Sequence, residues 1–276
     1  MFIKNHLLFE DDGAPMPFQA TPHTGGNYKP QYLVIHYTGS ANPQSTIDWF
    51  LNLQSQVSAH LLIARNGSIT QFAPFNKITW HAGKSQWKGL SGLNRFAVGI
   101  ELVNAGKLIK NGSSWRSQLD RTLIKNGEVM VAAHKNETTT NGWQEYSGRQ
   151  LESAIEVSTL LVRTYNLFDV VGHDEISPFR KSDPGPAFPM TSFRAKVMGR
   201  KNELLDEYKI NQQANIRSGP GTTYQELTAP LPKGTPISVL KTEGNWSFVE
   251  VRATVNGIMD LEGWVYSRLI GPPVQN

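Results

Sequence analysis

Three short apolar runs in this chain each lead straight into a residue that does not belong in an apolar core. Tyr32-Leu33-Val34-Ile35 runs into His36, Val98-Gly99-Ile100 into Glu101, and Val170-Val171 through Gly172 into His173. Runs this short, β-branched and bounded by turn residues, read as buried strands. Patterns of helical period lie between and after them. Asn42 or Ser45 can cap a helix carrying Ile47, Phe50 and Leu51 on one side, and Leu151, Ile155, Val162 and Tyr165 mark a long amphipathic helix. A last helix is expected to carry Phe193, Val197, Leu204 and Tyr208. Two β-rich runs around Asn66-Gly67 predict a hairpin. Strands alternating with helices imply an α/β sheet, in which side chains just past the strand C-termini converge on one crevice. His36 and His173 are therefore candidates for metal ligands or for an acid–base pair.

The pattern divides the chain into three. Residues 1–30 are rich in Pro, Gly and Thr and read as an irregular lead-in, and residues 31–209 carry the α/β pattern. Residues 210–276 change texture: short strand candidates such as Trp246–Val251 and Gly263-Trp264-Val265 alternate with Gly/Pro turns, which predicts a small all-β module. Inside the α/β part, residues 104–145 form a polar, Gly-rich excursion with room for one hairpin around Glu128–Val131. Excursions of this length are often functional.

Composition excludes several classes. An apolar fraction of 39% with seven Trp and twelve Phe supports a packed core and argues against disorder. Without cysteine there are no disulfides, no Cys-based zinc knuckles and no thiol nucleophile. A net charge of +4 suits an anionic partner, but no run of Lys/Arg interleaved with aromatics points to nucleic acid. No segment reaches the roughly 18–20 apolar residues of a membrane span. The apolar stretch near Met1 is too short for the core of a classical signal peptide.

The stretch Arg180-Lys181-Ser182-Asp183-Pro184-Gly185-Pro186 adds a carboxylate. Pro184 disfavours the helical conformation for Asp183, and in an extended chain residues two apart point the same way. Lys181 and Asp183 then face one site. Two His and one carboxylate, with a fourth position left to water, form a known catalytic zinc set. Glu101 in its apolar run needs a partner or a task, because unpaired burial of a carboxylate is costly. A general base beside a metal would be such a task. Singly, each signal has an ordinary structural explanation; their conjunction is what marks a site.

At these residues the chain resembles the type 2 family of N-acetylmuramoyl-L-alanine amidases, relatives of the peptidoglycan recognition proteins. The matching stretches occur in family order: Val34–Thr38, Val57–Ile63, Trp80–Gly83, Val98–Leu102, and Gly172–Pro178 running into Arg180–Pro186. The resemblance implies a central mixed β-sheet flanked by helices, zinc held by His36, His173 and Asp183, a catalytic Glu101, and Lys181 steadying the oxyanion. It implies hydrolysis of the amide joining the muramic lactyl group to L-alanine, with peptidoglycan or muropeptides as partner, acting on the bacterial cell wall. His60, Trp80, His81 and Asn94 are the expected substrate-lining residues. In the recognition branch the third ligand is typically Cys and a Tyr precedes the motif His; here those places hold Asp183 and Ala59, as in the bacterial amidase branch. Residues 210–276 resemble bacterial SH3-type domains through Ala214–Thr222, Leu231–Thr235 and Gly263–Val265. By analogy, such a module binds the wall. The rival functions are a binder of peptidoglycan that does not cut it, and a hydrolase acting within the stem peptide.

Overall fold

The computed structural model describes residues 1–199, 207–256, 258 and 261–272. The chain divides into two compact units, Met1–Gly199 and Arg200–Asn276.

The first unit is built on a five-stranded sheet. In chain order its strands are β1 (Tyr32–Tyr37), β2 (Leu61–Ile63), β3 (Ile69–Gln71), β4 (Ala97–Leu102) and β5 (Asp169–Gly172). They lie in the order β5-β1-β4-β2-β3, with the first four parallel and only β3 antiparallel. Gly67, at φ 90°, makes the β2–β3 turn expected at Asn66-Gly67. The alternation of side chains separates two faces. Leu33, Ile35, Leu61, Ile63, Val98, Ile100 and Val170 point into the main core, which is covered by α2 (Gly148–Tyr165) and α3 (Met190–Val197). Inside that core Gln150 of α2 donates through Nε2 to Ile63 O (2.9 Å) and Val103 O (3.0 Å), tying the helix to the ends of β2 and β4.

The opposite face carries two smaller apolar blocks. One gathers Tyr32, Val34 and Val171 with Ala82, Leu93, Ala97 and Ile176. The other gathers Leu62 with Phe50, Ala59, Phe72 and Val103. Phe50 comes from α1 (Pro43–Leu51), whose N-cap is Asn42 accepting from the Gln44 N–H at 3.0 Å. Loss of such a cap costs about 1 kcal/mol.

Several local expectations need correction. The lead-in is not irregular throughout: Phe2–Lys4 pairs with Leu7–Phe9, Thr24–Asn27 pairs with Lys77–Thr79, and Leu8 is buried in the main core. The excursion is not a single hairpin but a second, all-antiparallel five-stranded sheet, Leu123–Ile124, Ser114–Ser117, Lys107–Asn111, Thr140–Gln144 and Val129–Ala133 in spatial order. Its strands are too short and too unevenly buried to print an alternation in the sequence. The last helix stops at Val197, and Tyr208 lies on the strand Glu207–Lys209, opposite Ile237; Leu204 is outside the described residues.

The second unit is a four-stranded antiparallel sheet, Glu207–Lys209, Pro236–Glu243, Trp246–Val251 and Glu262–Tyr266, curled around its own core of Ile210, Ile216, Leu231, Ile237, Val249 and Val265. Among the described residues no helix is long and apolar enough to cross a membrane.

Candidate metal centre

His36 is not beyond its strand but within it, the penultimate residue of β1, and Glu101 is its register partner on β4. His173 opens the helical turn His173–Ile176 directly after β5. Asp183 reaches the same point from ten residues downstream because two segments touch. The Asp174 N–H donates to Asp183 O at 2.7 Å. That approach requires glycine at 172, where a Cβ would lie 2.5 Å from Asp174 Oδ1 and 2.8 Å from Pro184 Cδ. Two tyrosines fix the segment: Tyr146 Oη donates to Pro184 O (2.8 Å), and Tyr37 Oη meets Ser182 Oγ (2.7 Å).

His36 Nδ1, His173 Nδ1 and Asp183 Oδ2 form a triangle with all three sides 2.9 Å, and all three residues are buried. One proton cannot serve three mutual contacts, so the triangle is the geometry of donors aimed at a common point. The sides are within a few tenths of an ångström of the roughly 3.3 Å between ligand atoms around a tetrahedral ion with bonds of about 2.0–2.1 Å. His36, His173 and Asp183 are the group able to hold a metal ion among the described residues. The donor set, N₂O with no sulfur, fits zinc.

The outer nitrogens set the tautomers. His173 Nε2 donates to Ala82 O (3.1 Å), leaving Nδ1 bare. His81 Nε2 donates to Ala97 O (3.1 Å), so His81 Nδ1 accepts from His36 Nε2 (3.0 Å) and His36 Nδ1 is bare as well. Partners of this kind orient metal ligands and raise their basicity. Burial, and then the neighbouring His173, lowers His36 to about 4, and burial with His36 and His60 holds His81 well below the usual imidazole range. Both rings are neutral at neutral pH. Burial works to raise Asp183, yet the charges and hydrogen bonds of His173 and His36 outweigh it and keep its carboxyl well below the usual range. Room for the His81 ring comes from Gly99, where a Cβ would sit 2.5 Å from His81 Cγ.

Glu101 opens into the same cavity, which measures about 870 Å³. Its Oε2 is buried without a hydrogen-bond partner. Burial, reinforced by the Asp183 charge, pushes its carboxyl well above the usual range, while Lys181 pulls it back. Lys181, His81, Trp80 and Asn94 all line this cavity. Asn94 Oδ1 accepts from the N–H groups of His81 (3.1 Å) and Ala82 (2.7 Å) and so shapes the wall. The structure does not bring His60 there. His60 is fully buried, with Nε2 donating to Lys77 O (2.8 Å) and Nδ1 engaged by Thr79 Oγ1 (2.9 Å) and the Gly99 N–H (3.1 Å).

Sequence reasoning missed two supports. Arg180, beside the motif, donates to Ala82 O, Lys84 O and Ser177 Oγ at 2.6–3.0 Å and lines the cavity. His134, in the excursion, meets Asp174 Oδ2 at 3.0 Å next to His173, and Lys135 pairs with the same carboxylate at 2.9 Å. Nothing local in the sequence announces a contact across forty residues.

The profile of the N-acetylmuramoyl-L-alanine amidase family matches residues 26–186, and that of the bacterial SH3 domain matches residues 213–271. Escherichia coli 1,6-anhydro-N-acetylmuramyl-L-alanine amidase AmpD is 30% identical over 174 residues, covering 62% of this chain and 75% of its own. Escherichia coli N-acetylmuramoyl-L-alanine amidase AmiD is 30% identical over 176 residues, 60% of this chain and 53% of its own. A solved AmpD structure, a selenomethionine derivative, aligns with TM-score 0.47 and 26% identity over 71% of this chain and 99% of that one. With a profile match over more than half of its length, this chain belongs to the N-acetylmuramoyl-L-alanine amidase family.

Proposed function

We propose that the protein is a zinc-dependent N-acetylmuramoyl-L-alanine amidase, cutting the amide between the lactyl group of muramic acid and L-alanine in peptidoglycan or its muropeptides. The observation that carries this reading is the 2.9 Å triangle of His36, His173 and Asp183 with the unpartnered Glu101 Oε2 in the same cavity. The relatives AmpD and AmiD bear amidase names for muramyl-L-alanine bonds, and the amidase family profile, matching residues 26–186, spans all of these residues.

When bound, the zinc ion lowers the pKa of water from about 15.7 towards 7 and polarises a carbonyl oxygen. His36, His173 and Asp183 would hold it, with His81 and the Ala82 carbonyl keeping both rings turned inward. Glu101 Oε2, having no protein partner, takes the proton of the attacking water and returns it to the departing amine of L-alanine. Lys181, whose charge is felt by both Glu101 and His36, stabilises the negative charge that develops on the carbonyl oxygen. Products are a muramyl sugar or glycan strand and a free stem peptide. The site of action is the bacterial cell wall, with the second unit as a wall-binding module.

Mass spectrometry of digested muropeptides tests this reading. Release of intact stem peptides with a free L-alanine amino terminus is expected. Fragments cut inside the stem, or binding without any product, would overturn it.

A further inference from the structure

The cavity has two flanks of opposite character. On one side, Arg180 is fastened to the carbonyls of Ala82 and Lys84, beside Lys181, over the block containing Ala82 and Ile176. Elsewhere in the same lining stand Trp49 of α1, next in the chain to the buried Phe50, and Leu119 of the excursion. Both line the cavity, yet Trp49 is 51% and Leu119 70% exposed. Apolar side chains held open at a cavity wall wait for something to cover them.

Leu119 is held in place rather than left on a loose tip. Ser40 Oγ donates to Asp120 Oδ2 at 2.6 Å, and Ser117 Oγ donates to Gly39 O at 3.1 Å, so both ends of the Leu119 turn are tied to the loop after β1. The turn is closed internally by the Thr122 N–H on Asp120 Oδ1 at 3.1 Å. These bonds outweigh the effect of partial burial and hold the Asp120 carboxyl at about 2, so it stays an acceptor at neutral pH.

Resting on the amidase reading above, we infer that Trp49 and Leu119 form the wall that reads the saccharide of the substrate, making the excursion a specificity element of the site. The two halves of a muramyl peptide differ in charge. The stem peptide carries free carboxylates, which suit the Arg180–Lys181 flank. The N-acetylated sugar is neutral once its lactyl carboxyl is tied up in the amide. Its ring presents a face of C–H groups, which packs on an aromatic face and against aliphatic carbon. Trp49 and Leu119, apolar and exposed at the cavity wall, match that half.

The test compares a muramoyl peptide with the corresponding D-lactoyl peptide, which keeps the scissile amide but lacks the pyranose. The native protein is expected to prefer the sugar-bearing substrate in kcat/KM. Trp49→Ala and Leu119→Ser should each lower that preference by about tenfold, the usual weight of a few apolar contacts in discrimination. Asp120→Asn, which weakens the tether, should shift it the same way. Because both wall residues are exposed, unchanged bound zinc and melting temperature will show that the variants are folded. A preference that stays put, or an equal loss on both substrates, overturns the wall. A native protein that cleaves neither substrate overturns the amidase reading itself, a different outcome from the first.

Discussion

Glu101 and His36 are register partners on neighbouring parallel strands, so a carboxylate whose Oε2 is buried without a hydrogen-bond partner stands on the same face as a metal-ligand candidate. Glu101 is outside the triangle of donors, yet the Asp183 charge reaches it. Geometry thus sets the proposed base apart from the proposed ligands. Glu101→Gln should retain its zinc by elemental analysis while its rate falls by roughly 10²–10⁴, the usual weight of a general base. Loss of zinc in that variant would make Glu101 a ligand.

The metal requirement has its own test. Chelation should abolish hydrolysis, and added Zn²⁺ should restore it. Asp183→Ala removes the one anionic donor of the triangle and should lose most of its bound metal. Full-rate digestion by zinc-free protein would end the mechanism.

His81 touches His36, and its two ring nitrogens are both engaged. Removing it frees the outer nitrogen of a proposed ligand, so His81→Ala should weaken zinc affinity by about 10- to 100-fold in a competition titration. A raised KM with unchanged zinc affinity would instead assign His81 to the substrate alone.

Acid stability follows from the buried histidines. Burial lowers His60, like His36, from the ordinary 6.5 to about 4. Their folded-state values lie below the unfolded ones, so the stabilisation is complete above about pH 6.5. It is lost as pH falls, because the unfolded chain takes up protons that the folded chain refuses down to about 4. Each such histidine contributes a slope of about 1.4 kcal/mol per pH unit in that window. Denaturant unfolding of the zinc-free protein from pH 7 to 4 should show the decline, and His60→Gln should flatten it even though it is less stable throughout. A slope that His60→Gln leaves unchanged would show that His60 does not contribute to it.

The centre of this site was legible because its parts sit where strands end, and strand ends are written locally. His36, Glu101 and His173 each interrupt an apolar run, and Asp183 is marked by the proline after it. What stayed hidden is held by long-range contacts. The excursion has strands as short as Leu123–Ile124, so no periodicity foretold a sheet, and Leu119 and His134 gain their meaning only from Ser40 and Asp174. Tyr208 matched a helical spacing by coincidence; its true neighbour is Ile237, twenty-nine residues on. His60 shows the reverse error, a histidine inside a motif whose ring is fully occupied in holding Lys77 and Thr79.

The two units have separate cores, and every residue of the candidate centre lies before Gly199. A chain ending at Gly199 should therefore hydrolyse small soluble muropeptides at close to the full-length rate. On insoluble sacculi it should be slower, because a tethered wall-binding module raises the effective concentration of substrate at the catalytic unit. The second unit alone should co-sediment with sacculi, and less so at high salt if its cations meet an anionic wall. A module that only supports folding makes a different forecast: truncation would then impair both substrates equally and lower the melting temperature of the first unit. Equal losses, together with no co-sedimentation of the isolated module, would remove the wall-binding role and leave the catalytic assignment standing.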